Sequence, residues 1–165
     1  MKRFRVGALL LLGFVVLSPV AAETVSISVR QQAEQEEAPV LADFVEQGAM
    51  EHLFTTGHVV FDLEIDPADD LYLYRAIGDA RTGGASYLVI LELAFSATEE
   101  RGLLPDRIDA TMIDLADESV INEATLFADD LDRYAELDAE TIAIRLGSLA
   151  AEMAAAGITG GEQGW

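Results

Sequence analysis

The chain predicts an α/β domain, a mixed sheet of about five strands with three helices in the order β-α-β-α-β-β-β-α. Three observations lead there. Short segments of apolar–polar alternation mark strands, strict at Thr24–Arg30 and again present at Val59–Ile65. Between them, apolar residues recur every three or four positions, as on one face of a helix. One run, Ser86–Phe95 (SYLVILELAF), is apolar almost throughout and fits a central strand covered on both faces.

Residues 1–22 (MKRFRVGALLLLGFVVLSPVAA) read as a signal peptide. Lys2, Arg3 and Arg5 form its basic start, and Val6 to Leu17 is uninterruptedly apolar. Pro19 breaks the helix, and Val20 and Ala22 are the small residues of a cleavage site. Cleavage after Ala22 leaves one domain over 23–157 and a flexible Gly-rich tail over 158–165. No later segment reads as long and apolar enough to span a bilayer, so the mature form is expected to be exported and not membrane-embedded.

In Thr24–Arg30, Val25, Ile27 and Val29 face one way and Ser26 and Ser28 the other, a half-buried strand. Gln31–Ala38 is acidic loop, and Pro39 suits the first turn of a helix. That helix carries Leu41, Phe44, Val45, Gly48, Ala49, Leu53 and Phe54 at helical spacing, with Gly57 as its stop. The second strand, Val59–Ile65, alternates Val59, Phe61, Leu63 and Ile65 with Asp62 and Glu64. Asp66-Pro67 ends it, and Asp69-Asp70 suit the amino terminus of a second helix. Leu73, Ala76, Ile77 and Ala80 form that helix's stripe, ended by Gly83-Gly84.

After the loop at 96–106, Arg107–Leu115 and Ser119–Phe127 make two strands joined by a tight turn at Ala116-Asp117-Glu118. Asp138 caps the last helix, with Ile142, Leu146, Leu149 and Met153 as its apolar stripe. Gly157-Ile158 fits a Schellman ending. The first three strands should be parallel and the last three an antiparallel meander. Periodicity leaves open whether the helices cover one sheet face or both.

Several segments carry a resemblance: Phe44–Asp62 (FVEQGAMEHLFTTGHVVFD), Gly84–Leu91 (GASYLVIL) and the closing strands Arg107–Phe127. With the element order, they resemble the periplasmic α/β domain at the amino terminus of TolB. The curli-secretion-channel lipoproteins and the penicillin-binding-protein activators form the rest of that group. The chain departs from it in having no lipid-anchor cysteine and no Pro-Phe ending on the first strand. The resemblance implies a scaffold for protein contacts at the cell envelope and carries over no catalytic residue.

Composition narrows the chemistry. There is no cysteine, which removes disulfides, zinc-thiolate sites and thiol nucleophiles. The net charge is −20, and beyond the leader 7 Arg and no Lys stand against 30 acids, a charge of −23. Nucleic acid finds no basic footprint here, and an anionic lipid surface is repelled. Without a lysine there is neither a Walker-A loop nor Schiff-base chemistry.

His52 and His58 stand six apart, whereas a metal pair on a helix wants spacing four, so Glu51 or Asp62 joining them is the weaker reading. Asp66, Asp69 and Asp70, and Asp129, Asp130 and Asp132, lack the calcium-loop pattern and read as caps and solvated loop. Glu92, inside the apolar strand, is expected at an edge or rim, paired with an arginine such as Arg107, or else with a raised pKa. No catalytic residue, cofactor or metal is expected.

The function expected is a non-enzymatic, exported binding or assembly scaffold with an envelope protein as partner, placed in a bacterial periplasm. Two alternatives stand beside it. One is a small secreted hydrolase using a carboxylate pair. The other is a subunit of an envelope machine whose edge strand completes a partner's sheet.

Overall fold

Strand β1 (Thr24–Gln31) lies inside the sheet, parallel to β2 (Val59–Asp62) on one side and to β3 (Tyr87–Ala94) on the other. β4 (Arg107–Asp114) and β5 (Ser119–Phe127) follow antiparallel, giving the order β2-β1-β3-β4-β5. Helices α1 (Pro39–Thr55), α2 (Tyr72–Thr82) and α3 (Ala139–Gly160) complete the predicted sequence of elements. The computed structural model describes residues 22–31, 39–66, 68–95, 104–127 and 137–160. The leader apart from Ala22, the loops 32–38 and 96–103, the aspartates 129, 130 and 132, and the end of the tail lie outside them.

Topology decides which face each helix covers. The chain leaves β1 toward β2 on one side, then crosses back over β1 to reach β3. Two right-handed crossovers in opposite directions put their helices on opposite faces. α1 and α3 accordingly bury Val25, Ile27, Val89, Leu91, Leu93, Ile108, Ala110 and Met112 on one face. α2 buries Leu88, Ile90 and Ile113 on the other through Tyr72, Ala76 and Ala80. The alternate residues of β3 thus enter two cores, which is why its sequence is apolar without a break.

Local chemistry supports each boundary. Gly57 takes φ of 100° at the end of α1 and Gly84 takes 81° just after α2, a region that favours glycine. The Asp138 carboxylate accepts the Thr141 backbone N–H at 2.9 Å and the Thr141 hydroxyl at 2.8 Å, capping α3. These bonds hold its pKa below the usual carboxylate value. Asp114 and Asp117 accept the backbone N–H groups of Ala116 and Ser119 in the β4–β5 turn. Arg81, at the end of α2, donates to the Leu115 carbonyl and pairs with Glu118, so the helix is pinned to that turn.

Some expectations change. β1 is not half-buried: Ser26 and Ser28 are buried too, because α2 crosses over their face. β2 stops at Asp62 instead of Ile65, and Leu63 and Ile65 turn to pack on the α2 cluster. In α2 the anchor is Tyr72, and Leu73 is exposed. In α3 the buried line is Ala143, Leu146, Ala150, Ala151 and Ala154, while Ile142 and Leu149 are half-buried and Met153 is exposed. α3 runs through Gly157 to Gly160. Gly157 is a contact residue, not a stop: a Cβ there would meet Asn122 and the Ile121 carbonyl. By length and composition, Ala139–Ile158 is apolar enough to cross a membrane, contrary to the expectation that no such segment follows the leader. Its small residues instead lie against α1 and the sheet.

Candidate interaction surface

Three concave regions surround this frame. The first lies on the α2 face, beside the carboxyl ends of β1 and β3. Here the Arg30 guanidinium sits 4.9 Å from the Tyr72 ring centroid and 3.7 Å from Glu92. Tyr72 Oη and Ser28 Oγ are 2.7 Å apart. Burial pushes the Tyr72 phenol above its ordinary pKa, partly offset by the Ser28 hydrogen bond and Arg30. A hollow of about 290 Å³ adjoins them, walled also by Ile90, Thr111 and Glu123.

Glu92 therefore pairs with Arg30, not Arg107, and it sits on the central strand, not at an edge. Parallel pairing places Arg30 directly opposite Glu92. Arg107 lies two residues from Asp109 on the same face of β4, and its Nε stands 2.9 Å from Asp109 Oδ2 as an ion pair. The hollow therefore holds a carboxylate already committed to a cation.

The second region is a cleft of about 420 Å³ between α1 and α3, where Glu51, His52, Arg145 and Glu152 share the wall with Thr141 and Ser148. His58 lies apart from it, half-buried just before β2, with its Nδ1 buried and unpartnered among the described residues. The two histidines are not brought together in one wall. Among the described residues no group of three or more His, Asp or Glu is arranged to hold a metal ion. Asp66 and Asp69 instead accept the backbone N–H groups of Ala68 and Leu71, and Asp69 pairs with Arg75 at 2.6 Å.

The third region flanks the outer edge of β2. A groove of about 440 Å³ runs between α1 and this strand, lined by Asp43, Glu46, Met50, Glu51, Phe54 and Val60. Phe54 is 71% exposed, unusual for a phenylalanine, and Val59 is 53% exposed. Glu46 is half-buried, with its pKa raised to about 7. Burial contributes most, followed by the charges of Asp62, Asp43 and Glu64. The helical spacing in the sequence predicts Phe54 on the buried stripe. Phe54 is exposed because it follows fully buried Leu53 by one residue, a turn of about 100° that carries it off the line facing the sheet.

No family model matches the chain, and no curated protein matches it. Solved structures do. The fold is similar to the PelC dodecamer of Paraburkholderia phytofirmans, with 14% identity, 81% of this chain and 89% of that chain covered, and a TM-score of 0.49. It is similar to TolB from Acinetobacter baumannii at 12% identity, covering 84% of this chain and 29% of that one, TM-score 0.47. It is also similar to the LpoB C-terminal domain from Salmonella enterica at 15% identity, covering 66% and 84%, TM-score 0.38. TolB, whose amino-terminal domain the sequence resembles, is thus among the structures this chain is similar to.

Proposed function

We propose that the protein is exported to the bacterial cell envelope, with cleavage after Ala22, and acts there as a non-enzymatic scaffold that holds a protein partner. The observation that carries this reading is the surface around β2. It is an edge strand, paired with β1 on one side and with no strand on its outer side among the described residues, and it carries exposed Val59 with exposed Phe54 of α1 beside it. A bare strand edge with apolar side chains is a template for another polypeptide. Small-molecule chemistry favours an enclosed site with convergent polar groups. Here the hollow on the α2 face has its Glu92 tied to Arg30, and the β2 groove is open along a helix.

The test is site-specific photo-crosslinking in the producing cell. A crosslinker at Phe54 or Val59 is expected to capture one envelope protein, whereas one at Asp79, on the exposed side of α2, should capture none. Mass spectrometry of the native product should find Glu23 as the first residue. Absence of crosslinks from every exposed apolar position, or recovery of the product in the cytoplasm, would overturn the reading.

A further inference from the structure

We propose that the outer edge of β2 receives a basic, apolar extended segment of the partner as an added strand, its Lys or Arg seated on the acids of the α1 groove and its apolar residues on Met50, Phe54 and Val60. This rests on the scaffold reading and adds the chemistry of the partner and the way it docks.

Backbone register shows which groups are free to pair. Val59 N–H donates to the Glu23 carbonyl and Leu63 N–H to the Ile27 carbonyl, so alternate residues of the strand bond inward to β1. Val60 and Asp62 therefore turn their N–H and C=O groups outward. The same alternation puts the Val60 side chain in the groove beneath α1, with Asp62 acting on Glu46 from the same side. An incoming strand would find its hydrogen bonds at Val60 and Asp62 and its side-chain sites along α1.

Charge complementarity selects the occupant. Burial raises the Glu46 pKa most, Asp62 on β2, Asp43 on α1 and Glu64 just beyond β2 add to it, and among the described residues no cation is a cause that offsets them. Glu51 stands further along the same wall, and the Tyr72 phenol on α2 also feels the Glu46 charge. A Lys or Arg arriving here relieves that repulsion, and Glu46 gives up its proton as it does so. A second copy of this chain is the wrong occupant, because it would bring a further charge of −23 and no lysine. An acidic or neutral strand would leave these carboxyls uncompensated.

The probes are short labelled peptides, one alternating Arg with Val, one alternating Glu with Val and one alternating Arg with Ser, followed by fluorescence anisotropy at about 0.15 M salt. The Arg/Val peptide is expected to bind and to protect the Val60 and Asp62 amides from hydrogen exchange. The Glu/Val peptide should not bind, and the Arg/Ser peptide should bind at least tenfold more weakly.

Val60→Pro removes an outward N–H that β1 does not use, and a proline is tolerated on an edge strand. It should weaken binding by tenfold or more, and Phe54→Ser, a surface change, should weaken it several-fold. Glu46→Gln should flatten the gain in affinity between pH 6 and 8. Equal binding to Val60→Pro and wild type, or equal binding of the two Arg peptides, would reduce the effect to bulk charge and overturn the proposal. A dimer that Val60→Pro dissolves would assign the edge to a second copy and overturn it too. If crosslinks form at Phe54 while no Arg/Val peptide binds, the scaffold reading stands and the basic strand falls. If both vanish, both fall.

Discussion

Gly147 on α3 faces Val45 on α1 so closely that a Cβ at position 147 would overlap the Val45 carbonyl oxygen. The arrangement is reciprocal, since a Cβ at Gly48 would overlap the Ile144 carbonyl. Both obstacles are backbone, so no side-chain rotation makes room. Two glycines, with Ala49, Ala143 and Ala150 among the buried residues of the same core, let the helices meet along their main chains.

Gly147→Ala is expected to cost about 3 kcal/mol or more, because the helices must separate to admit the methyl group. Gly78→Ala is the control. Gly78 lies within α2 with open space around its missing Cβ, so alanine should stabilise by about 0.5–1 kcal/mol through helix propensity. Chemical denaturation of the two variants gives opposite shifts if the close crossing is right. A Gly147→Ala midpoint equal to that of wild type would rule it out.

The buried hydroxyls of Ser28 and Tyr72 satisfy each other across the β1–α2 interface. Tyr72→Phe leaves the Ser28 hydroxyl buried without its partner and should cost about 1–3 kcal/mol. The ring still packs on the Leu88 and Ile90 face, so loss of packing is not the cause. Combining it with Ser28→Ala should recover part of the loss, which a double-mutant cycle measures directly. Strict additivity of the two substitutions would mean that the hydroxyls do not interact.

The element order and the parallel-then-antiparallel sheet were legible because they depend on periodicity and turn chemistry, which sequence displays directly. Ser26 and Ser28 show the limit of that. Their alternation with Val25 and Ile27 predicts a solvated face, yet α2 covers it, and nothing in Thr24–Arg30 announces a helix that comes from the far side of β2. Arg30 and Glu92 are likewise 62 residues apart, and only the register of β1 against β3 sets them opposite each other. The buried line of α3 departs from the hydropathy pattern for a different reason. Bulky Ile142, Leu149 and Met153 carry the hydropathy, but a glycine-mediated crossing selects small residues. The groove beside β2 is not legible in the sequence because Glu46 and Asp62 come near each other only once α1 packs on the sheet.

Glu46 gives stability a pH dependence of known sign. Its folded pKa is about 7 against a reference of 4.5, so the folded protein holds a proton there that the unfolded chain releases. For an acid raised in this way, stability falls as pH climbs from about 4.5 to about 7 and then levels off. Glu46→Gln keeps the neutral form at every pH. It should therefore be more stable than wild type at pH 8 and nearly equal to it at pH 4.5, as read by denaturant midpoints. A constant difference across the window would mean that another group supplies the pH dependence.

The charge of the whole chain gives its stability a dependence on salt. Among the described residues, Arg30, Arg75, Arg81 and Arg107 are each paired with an acid, and the 30 acids far outnumber the 7 arginines of the exported form. Folding draws those acids together, and their mutual repulsion opposes the compact state. At 0.01 M salt that repulsion reaches ~30 Å, whereas near 1 M it is confined to ~3 Å. The melting temperature should therefore climb with sodium chloride, most steeply at the dilute end where the screening length changes fastest. Surface ion pairs such as Arg75–Asp69 pull the other way, since salt weakens attraction too. With so few arginines, though, repulsive pairs dominate the sum. Calcium and magnesium separate screening from binding. At matched ionic strength, screening alone makes them equivalent to sodium, while a site would give a saturating extra rise. Thermal melts across the three salt series decide the matter. A flat sodium series would refute the repulsion argument, and a saturating divalent effect would require carboxylates arranged as a cation site.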